Sequence, residues 1–132
     1  MVTINTIYLG ELITGSTHLH SGVEIITDAP LDNHGKGQAF SPTDLIALAL
    51  GTCMITTIAV RYSNINIVGT QMNISKKMTS HPRRIFEIVL EFYFTNKNYS
   101  DEQKANIEDA ALNCPVAKSL HDKLKQTVIF NY

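Results

Sequence analysis

Two cysteines are the residues in this 132-residue sequence whose chemistry most invites a reading: Cys53 and Cys114. They lie 61 positions apart, so no local CxxC motif couples them and any redox pairing must be made by the fold. In a reducing compartment two cysteines are free or redox-active rather than a permanent staple. Cys53 sits inside a long apolar stretch, where a free cysteine is ordinarily a small buried hydrophobe. Cys114 belongs to Asn113-Cys114-Pro115, and Pro115 suits the first position of a fresh helix. That puts Cys114 at a helix N-terminus, where free N–H groups and the positive dipole end favour thiolate. By this local reasoning Cys114 is the more acidic thiol; the bland reading makes it a packed residue at a helix junction.

The other candidates are weaker. His18 and His20, at i, i+2, share one face of a strand and would make a metal edge, but no HExxH or paired Cys/His motif accompanies them. Lys36 lies in Gly35-Lys36-Gly37, which lacks the spacing of a phosphate-binding loop and reads as an exposed loop residue. Arg83 and Arg84 open a strand and read as a solvated edge. Asp44 has a structural role to hand, as the acid of a capping box.

The elements that must position the cysteines follow from periodicity and punctuation. Ser41 is a good N-cap, Pro42 fits the first helical position and Asp44 follows three residues after the cap, so a helix starts here and continues to Tyr62. Its 16 residues from Leu45 to Val60 carry no charge, which predicts a helix enclosed on all sides and, in so short a chain, covered by a second subunit. That run falls short of the roughly 20 apolar residues of a bilayer span and is broken by Gly51, Thr52, Thr56 and Thr57, so no membrane role is expected. Before it, Thr3–Leu9, Leu12–Leu19 and Val23–Thr27 read as three strands with turns at Gly10-Glu11 and Ser21-Gly22, and Asp28–Gln38 reads as loop. After it come two long strands, Ile65–Met78 and Arg84–Thr95, the second alternating with Phe86, Ile88, Leu90, Phe92 and Phe94 facing the helix. Ser100 caps a helix through Leu112, a further helix runs from Pro115 through Val116, Leu120 and Leu124, and Thr127–Phe130 is a last strand. The order βββ-α-ββ-α-α-β is an α+β domain, with helices set against antiparallel sheet, over residues 1–132.

Composition narrows the partners. Eleven basic and twelve acidic residues, well interspersed, give a formal charge of −1, and no nucleic-acid partner is expected. MVTINTIYLG has neither the basic start nor the apolar run of a signal peptide, so the expected location is cytoplasmic.

Taken together, TDAPLDNHGKGQAFSPTDLIALALGTCM, PRRI and NCPVAKSL resemble the OsmC/Ohr family, in its OsmC-like branch, and the resemblance runs over nearly the whole chain. It implies an intertwined homodimer whose long helices share a core, with an active site at each subunit interface. It also implies a thiol peroxidase without metal, haem or flavin, acting on organic hydroperoxides and re-reduced by an external dithiol such as a lipoyl group. By the same resemblance Cys53 matches the peroxidatic cysteine and Cys114 the resolving one, which reverses the order of acidity argued from the helix terminus. The hydroperoxide-resistance members carry a glutamate directly after the helix-opening proline, where this chain has Thr43 with Asp44 one position later. They also use an arginine of the N-terminal hairpin, whereas the first arginine here is Arg61. Two further readings stand beside the peroxidase: a non-catalytic dimer of the same fold holding a small apolar or electrophilic ligand at its interface, and metal binding by Cys53, Cys114 and a histidine.

Overall fold

Left-handed backbone and glycine fix the first hairpins. The computed structural model describes residues 1–132, which divide into two compact units, Met1–Ile46 and Ala47–Tyr132. In the first, β1 (Ile4–Gly10), β2 (Ile13–His18) and β3 (Glu24–Asp28) form an antiparallel sheet in that order. Gly10, Glu11 and Leu12, at φ 87°, 51° and 66°, reverse the chain between β1 and β2, at the turn the sequence marks. Ile7, Gly15 and Ile26 pair across the three strands and so share one face. Leu9 leans onto the same row, since a Cβ added at Gly15 would meet Leu9 Cδ1 at 3.5 Å and Ile26 Cδ1 at 3.7 Å. Ile7, Leu9 and Ile26 are nevertheless 59%, 59% and 48% exposed in the single chain, an apolar face without cover. The loop that follows contains one 3-10 turn, Leu31–Asn33, and folds back so tightly that a Cβ on Gly35 would fall 1.7 Å from the Ala29 carbonyl oxygen. Lys36 is an exposed loop residue, paired with Glu11 at 3.6 Å.

The long helix, α1 (Pro42–Arg61), begins with a reciprocal capping box: Asp44 N–H donates to Ser41 Oγ at 3.1 Å, and Ser41 N–H donates to Asp44 Oδ2 at 2.8 Å. Two of the otherwise unpaired N–H groups at the helix start are thereby satisfied. Ala47, Leu50, Gly51, Met54 and Ile58 are buried, a stripe at helical spacing. Ile46, Thr52, Thr56, Ala59 and Val60 are exposed, so a single chain encloses one side of this helix rather than all of it. Thr52 and Thr56 hydroxyls donate to the Leu48 and Thr52 carbonyls at 2.9 and 2.8 Å, which removes their polarity from an otherwise uncharged surface. By length and apolarity alone α1 passes for a bilayer span, but its buried stripe belongs to the hydrophobic core of the second unit.

That unit contains β4 (Gln71–Ser80), β5 (Arg83–Tyr93), α2 (Asp101–Leu112), α3 (Pro115–Ser119) and β6 (Lys125–Asn131). The sheet order is β4-β5-β6; β4 and β5 are antiparallel, while β6 runs parallel to β5 because α2 and α3 form the crossover between them. β4 starts later than the apolar run Ile65–Met78 suggests, since Gly69 at φ 85° bends the chain before it. α3 stops at Ser119, well short of Leu124. The β5 alternation holds from Ile88 to Phe94, with Ile88, Leu90 and Phe92 fully buried and Phe94 nearly so. It breaks at Phe86, which the sequence pattern assigns to the inner face. Lys77 pairs with Glu87 and Met78 with Ile85, so Phe86 is the extra residue of a β-bulge, and Ile85 turns inward in its place. α1 meets this sheet at Gly51, where an added Cβ would fall 2.6 Å from Ile74 Cδ1 and 3.0 Å from Leu90 Cδ2.

Downstream of the bulge, Glu87 ties three strands together. Its carboxylate accepts from Lys77 Nζ on β4 at 2.7 Å and from Thr127 Oγ1 on β6 at 2.7 Å, with Lys125 Nζ at 3.6 Å. The Lys77 hydrogen bond first, then the Thr127 hydroxyl, hold the carboxyl at about 2, below its ordinary 4.5, against the opposing effect of partial burial. A depressed carboxyl pKa stabilises the folded chain above the unfolded value and ceases to do so as pH falls through the folded one. Glu87→Gln is therefore expected to lower the urea midpoint at pH 7, and the gap between variant and wild type should close as pH falls from 4.5 towards 2. A gap unchanged across that window would mean that the Glu87 charge contributes nothing.

Candidate functional site

The two cysteines are brought together by α1 and by the junction of α2 with α3. α2 opens on a full capping box, Ser100 with Gln103, and buries Ile107, Ala110 and Ala111. It ends at Leu112 because Pro115 has no N–H with which to continue the ladder. Cys114 is left as the N-cap of α3, and its sulfur accepts the Ala117 N–H at 3.4 Å. The sequence places it at this helix start correctly, but the lowering expected from the helix terminus meets a larger opposing effect. Cys114 is completely buried, and burial pushes its pKa up. The Ala117 N–H pulls the other way, while hydrogen bonding with the neighbouring Cys53 thiol, and the charge that thiol can carry, add to the rise. A helix of five residues offers little dipole to set against loss of solvent.

Cys53 is half-buried on the flank of α1 and packs against the core cluster that contains Cys114. Its sulfur lies 4.0 Å from Thr57 Oγ1, one turn further along the helix. A hollow of about 380 Å³ opens over it, lined by Cys53, Thr56, Thr57, Val60 and Arg61 of α1 and by Pro115 of α3. The buried thiol thus stands behind the accessible one. Arg61, 44% exposed, makes an ion pair with Asp109 of α2 at 3.8 Å.

Asp44 is engaged in the cap of α1 and is not among the residues lining the hollow. His18 and His20 do not share a strand face: β2 ends at His18, and the two rings meet edge to face at 6.3 Å, with His18 Nδ1 bonded to Ser21 Oγ at 2.7 Å. No group of three or more His, Cys, Asp or Glu side chains is gathered closely enough to hold a metal ion. Arg61 and Thr57 are the site residues that sequence reasoning passed over. Their signal is plain helical spacing, since residues four and eight positions after Cys53 project from the same flank of α1.

The OsmC-like protein family matches residues 35–128. A solved structure from Psychrobacter arcticus 273-4, described as an osmotic stress induced and detoxification response protein, is 44% identical over 99% of this chain and 96% of its own, with a TM-score of 0.94. An OsmC like protein from Mycoplasma pneumoniae, at 20% identity over 97% and 94% of the two chains, superposes with a TM-score of 0.80. An organic hydroperoxide resistance protein from Legionella pneumophila, at 16% identity over 100% and 98%, superposes at 0.76. No curated protein matches the sequence.

The difference in burial has a direct consequence for reagent access. With limiting iodoacetamide at pH 8, the Cys53 peptide is expected to be alkylated at least tenfold faster than the Cys114 peptide in the native protein, with the two rates converging in denaturant. Peptide mass spectrometry across a time course reads this directly, and equal native rates would contradict the burial of Cys114.

Proposed function

Because the chain belongs to the OsmC-like protein family, we propose that it is a cysteine-based peroxidase that reduces organic hydroperoxides. Family membership, with neighbours described in terms of stress response and hydroperoxide resistance, supports a redox stress role. The finer reading is carried by one observation: an accessible thiol at the mouth of a hollow, Cys53, directly in front of a buried second thiol, Cys114.

The steps balance with these two sulfurs and a hydroperoxide. The Cys53 thiolate attacks the outer oxygen of the O–O bond, that bond breaks, and Cys53 becomes a sulfenic acid while the alkoxide takes a proton and leaves as the alcohol. The Cys114 sulfur, as thiolate, then attacks the Cys53 sulfur. Hydroxide leaves, takes a proton to become water, and a disulfide remains. An external dithiol such as a lipoyl group returns both thiols and is itself oxidised to its disulfide. No metal, haem or flavin enters these steps. Val60 and Pro115 give the hollow an apolar wall that favours an alkyl substrate. Asp44 is engaged at the helix cap.

Proteins of the family are commonly dimeric, and we place the working form as a cytoplasmic homodimer. The exposed row of Ile7, Leu9 and Ile26 in the first unit and, separately, the uncovered side of α1 support this, because apolar surface of that kind is rarely left in water. Sedimentation at micromolar concentration should give twice the monomer mass for wild type, and Ile7→Glu with Ile26→Glu should shift it towards monomer. A wild-type monomer would end this part of the reading.

Turnover of cumene hydroperoxide with dihydrolipoamide tests the chemistry. Cys53→Ser should lower the rate by at least 10³-fold. Cys114→Ser should permit one round of oxidation and leave Cys53 as a sulfenic acid, trapped by dimedone and visible as a single mass adduct. Wild-type rates in Cys53→Ser would reject the peroxidase, and the non-catalytic binding protein would take its place.

A further inference from the structure

His18 and His20 have no part in the thiol chemistry, yet the turn of the first unit that carries them is closely tied. His18 ends β2, and its N–H donates to the Val23 carbonyl at 2.9 Å. Gly22, at φ 74°, returns its N–H to the His18 carbonyl at 2.8 Å. The Leu19 N–H donates to the Thr3 carbonyl at 3.0 Å, which lays the segment before β1 alongside the turn. A hollow of about 260 Å³ results, lined by Met1, Val2, Thr3, His18, Leu19 and His20, so both imidazoles border one space. His18 lies three residues from Gly15 along β2, which puts its side chain on the opposite face of the sheet from the apolar row of Ile7, Gly15 and Ile26.

The two ring centroids stand 6.3 Å apart, with the planes at 71°. Two imidazoles sharing one tetrahedral Zn²⁺, with Zn–N bonds of about 2.0–2.1 Å, have centroids about 5 Å apart, so a small rotation of two exposed side chains closes the difference. His18 Nδ1 is held by Ser21 Oγ at 2.7 Å, and that oxygen is itself fixed by the Val23 N–H at 3.3 Å. Nε2 is thereby left free, and the ring already has on its other nitrogen the orienting hydrogen bond that a ligating histidine ordinarily has. We propose that His18 and His20 together bind a divalent transition cation of the Zn²⁺ class, through one nitrogen of each ring, with water in the remaining positions. In the bound state His18 keeps its proton on Nδ1 and donates it to Ser21 Oγ. Neutral imidazole suits Zn²⁺, Ni²⁺ and Cu²⁺, whereas Mg²⁺ requires oxygen ligands and is not taken. Two protein ligands make a weaker site than the four of a structural zinc centre, so the cation exchanges and its occupancy follows the free-metal level.

Carbethoxylation by diethyl pyrocarbonate, read histidine by histidine in the full-length protein by tandem mass spectrometry, tests this with His34, His81 and His121 as internal controls. Zn²⁺ is titrated in large excess over protein, so that uptake by Cys53 and Cys114 does not deplete it. His18 and His20 are expected to be protected together, at a half-protecting concentration at least tenfold below that of any control, and Mg²⁺ over the same range should protect neither. His20→Ala should raise the concentration that half-protects His18 at least tenfold, and His18→Ala should do the same for His20, because each ring then loses the second ligand that multiplies its affinity. Ser21→Ala, which removes the orienting hydrogen bond, should weaken protection of both rings several-fold, and thermal melts of the variants check that each is folded. Undiminished protection of His18 in His20→Ala would show two independent surface imidazoles and overturn the proposal. Equal protection of all five histidines, or none up to millimolar Zn²⁺, would overturn it as well.

Discussion

The contact on which the second unit turns is the meeting of α1 with the sheet at Gly51. Without a Cβ there, the helix backbone comes down onto Ile74 and Leu90 more closely than any other residue would permit. Glycine inside a helix costs about 1 kcal/mol relative to alanine, so its presence is explained by what the close approach returns. That return is the burial of Leu50, Met54 and Ile58, each contributing roughly 1.5–3 kcal/mol relative to exposure. The same contact fixes the rotation of α1. With Gly51 against the sheet, Cys53, two residues on, falls on the flank of the helix, neither in the core nor on the outermost face. A thiol in that position can meet both a buried residue and a solvent-borne reagent.

The second thiol shows two local effects competing, with magnitude deciding between them. A cap position and a backbone N–H at 3.4 Å favour thiolate at Cys114. Complete removal from solvent disfavours it, and burial is the larger effect. The helix that would supply the dipole is a single turn and a half, cut off at Ser119 before its carbonyls can align in number. A helix-terminus cysteine is therefore not an acidic cysteine by position alone, and the distinction depends on what is packed over it.

Much of this was legible in the sequence wherever a signal was local. The capping boxes at Ser41 and Ser100, the break at Pro115 and the turns at Gly10-Glu11 and Ser21-Gly22 are each written in a few adjacent residues, and all appear in the structure. What was not legible depends on pairing between distant segments. Phe86 reads as an inner-face residue because strict alternation says so, and only the partner strand, with its pairing jump at Lys77–Met78, shows the bulge that turns it outward. The parallel placement of β6 is likewise a matter of crossover, which no periodicity in Lys125–Asn131 encodes. The long helix was expected to be enclosed all round because it lacks charge. Absence of charge specifies what a surface avoids but not what covers it, and 132 residues cover one side.

The same limit explains why the site was only half visible. Cysteine attracts notice by type, whereas arginine on a helix end is commonplace, and Arg61 gains meaning only from the hollow it shares with Cys53. Seen there, it bears on the missing hairpin arginine of the hydroperoxide-resistance proteins. Its backbone lies about two helical turns beyond that of Cys53, and its guanidinium is paired with Asp109 of α2 at 3.8 Å. The sulfur's near neighbours are the Thr57 hydroxyl at 4.0 Å and the Cys114 thiol behind it.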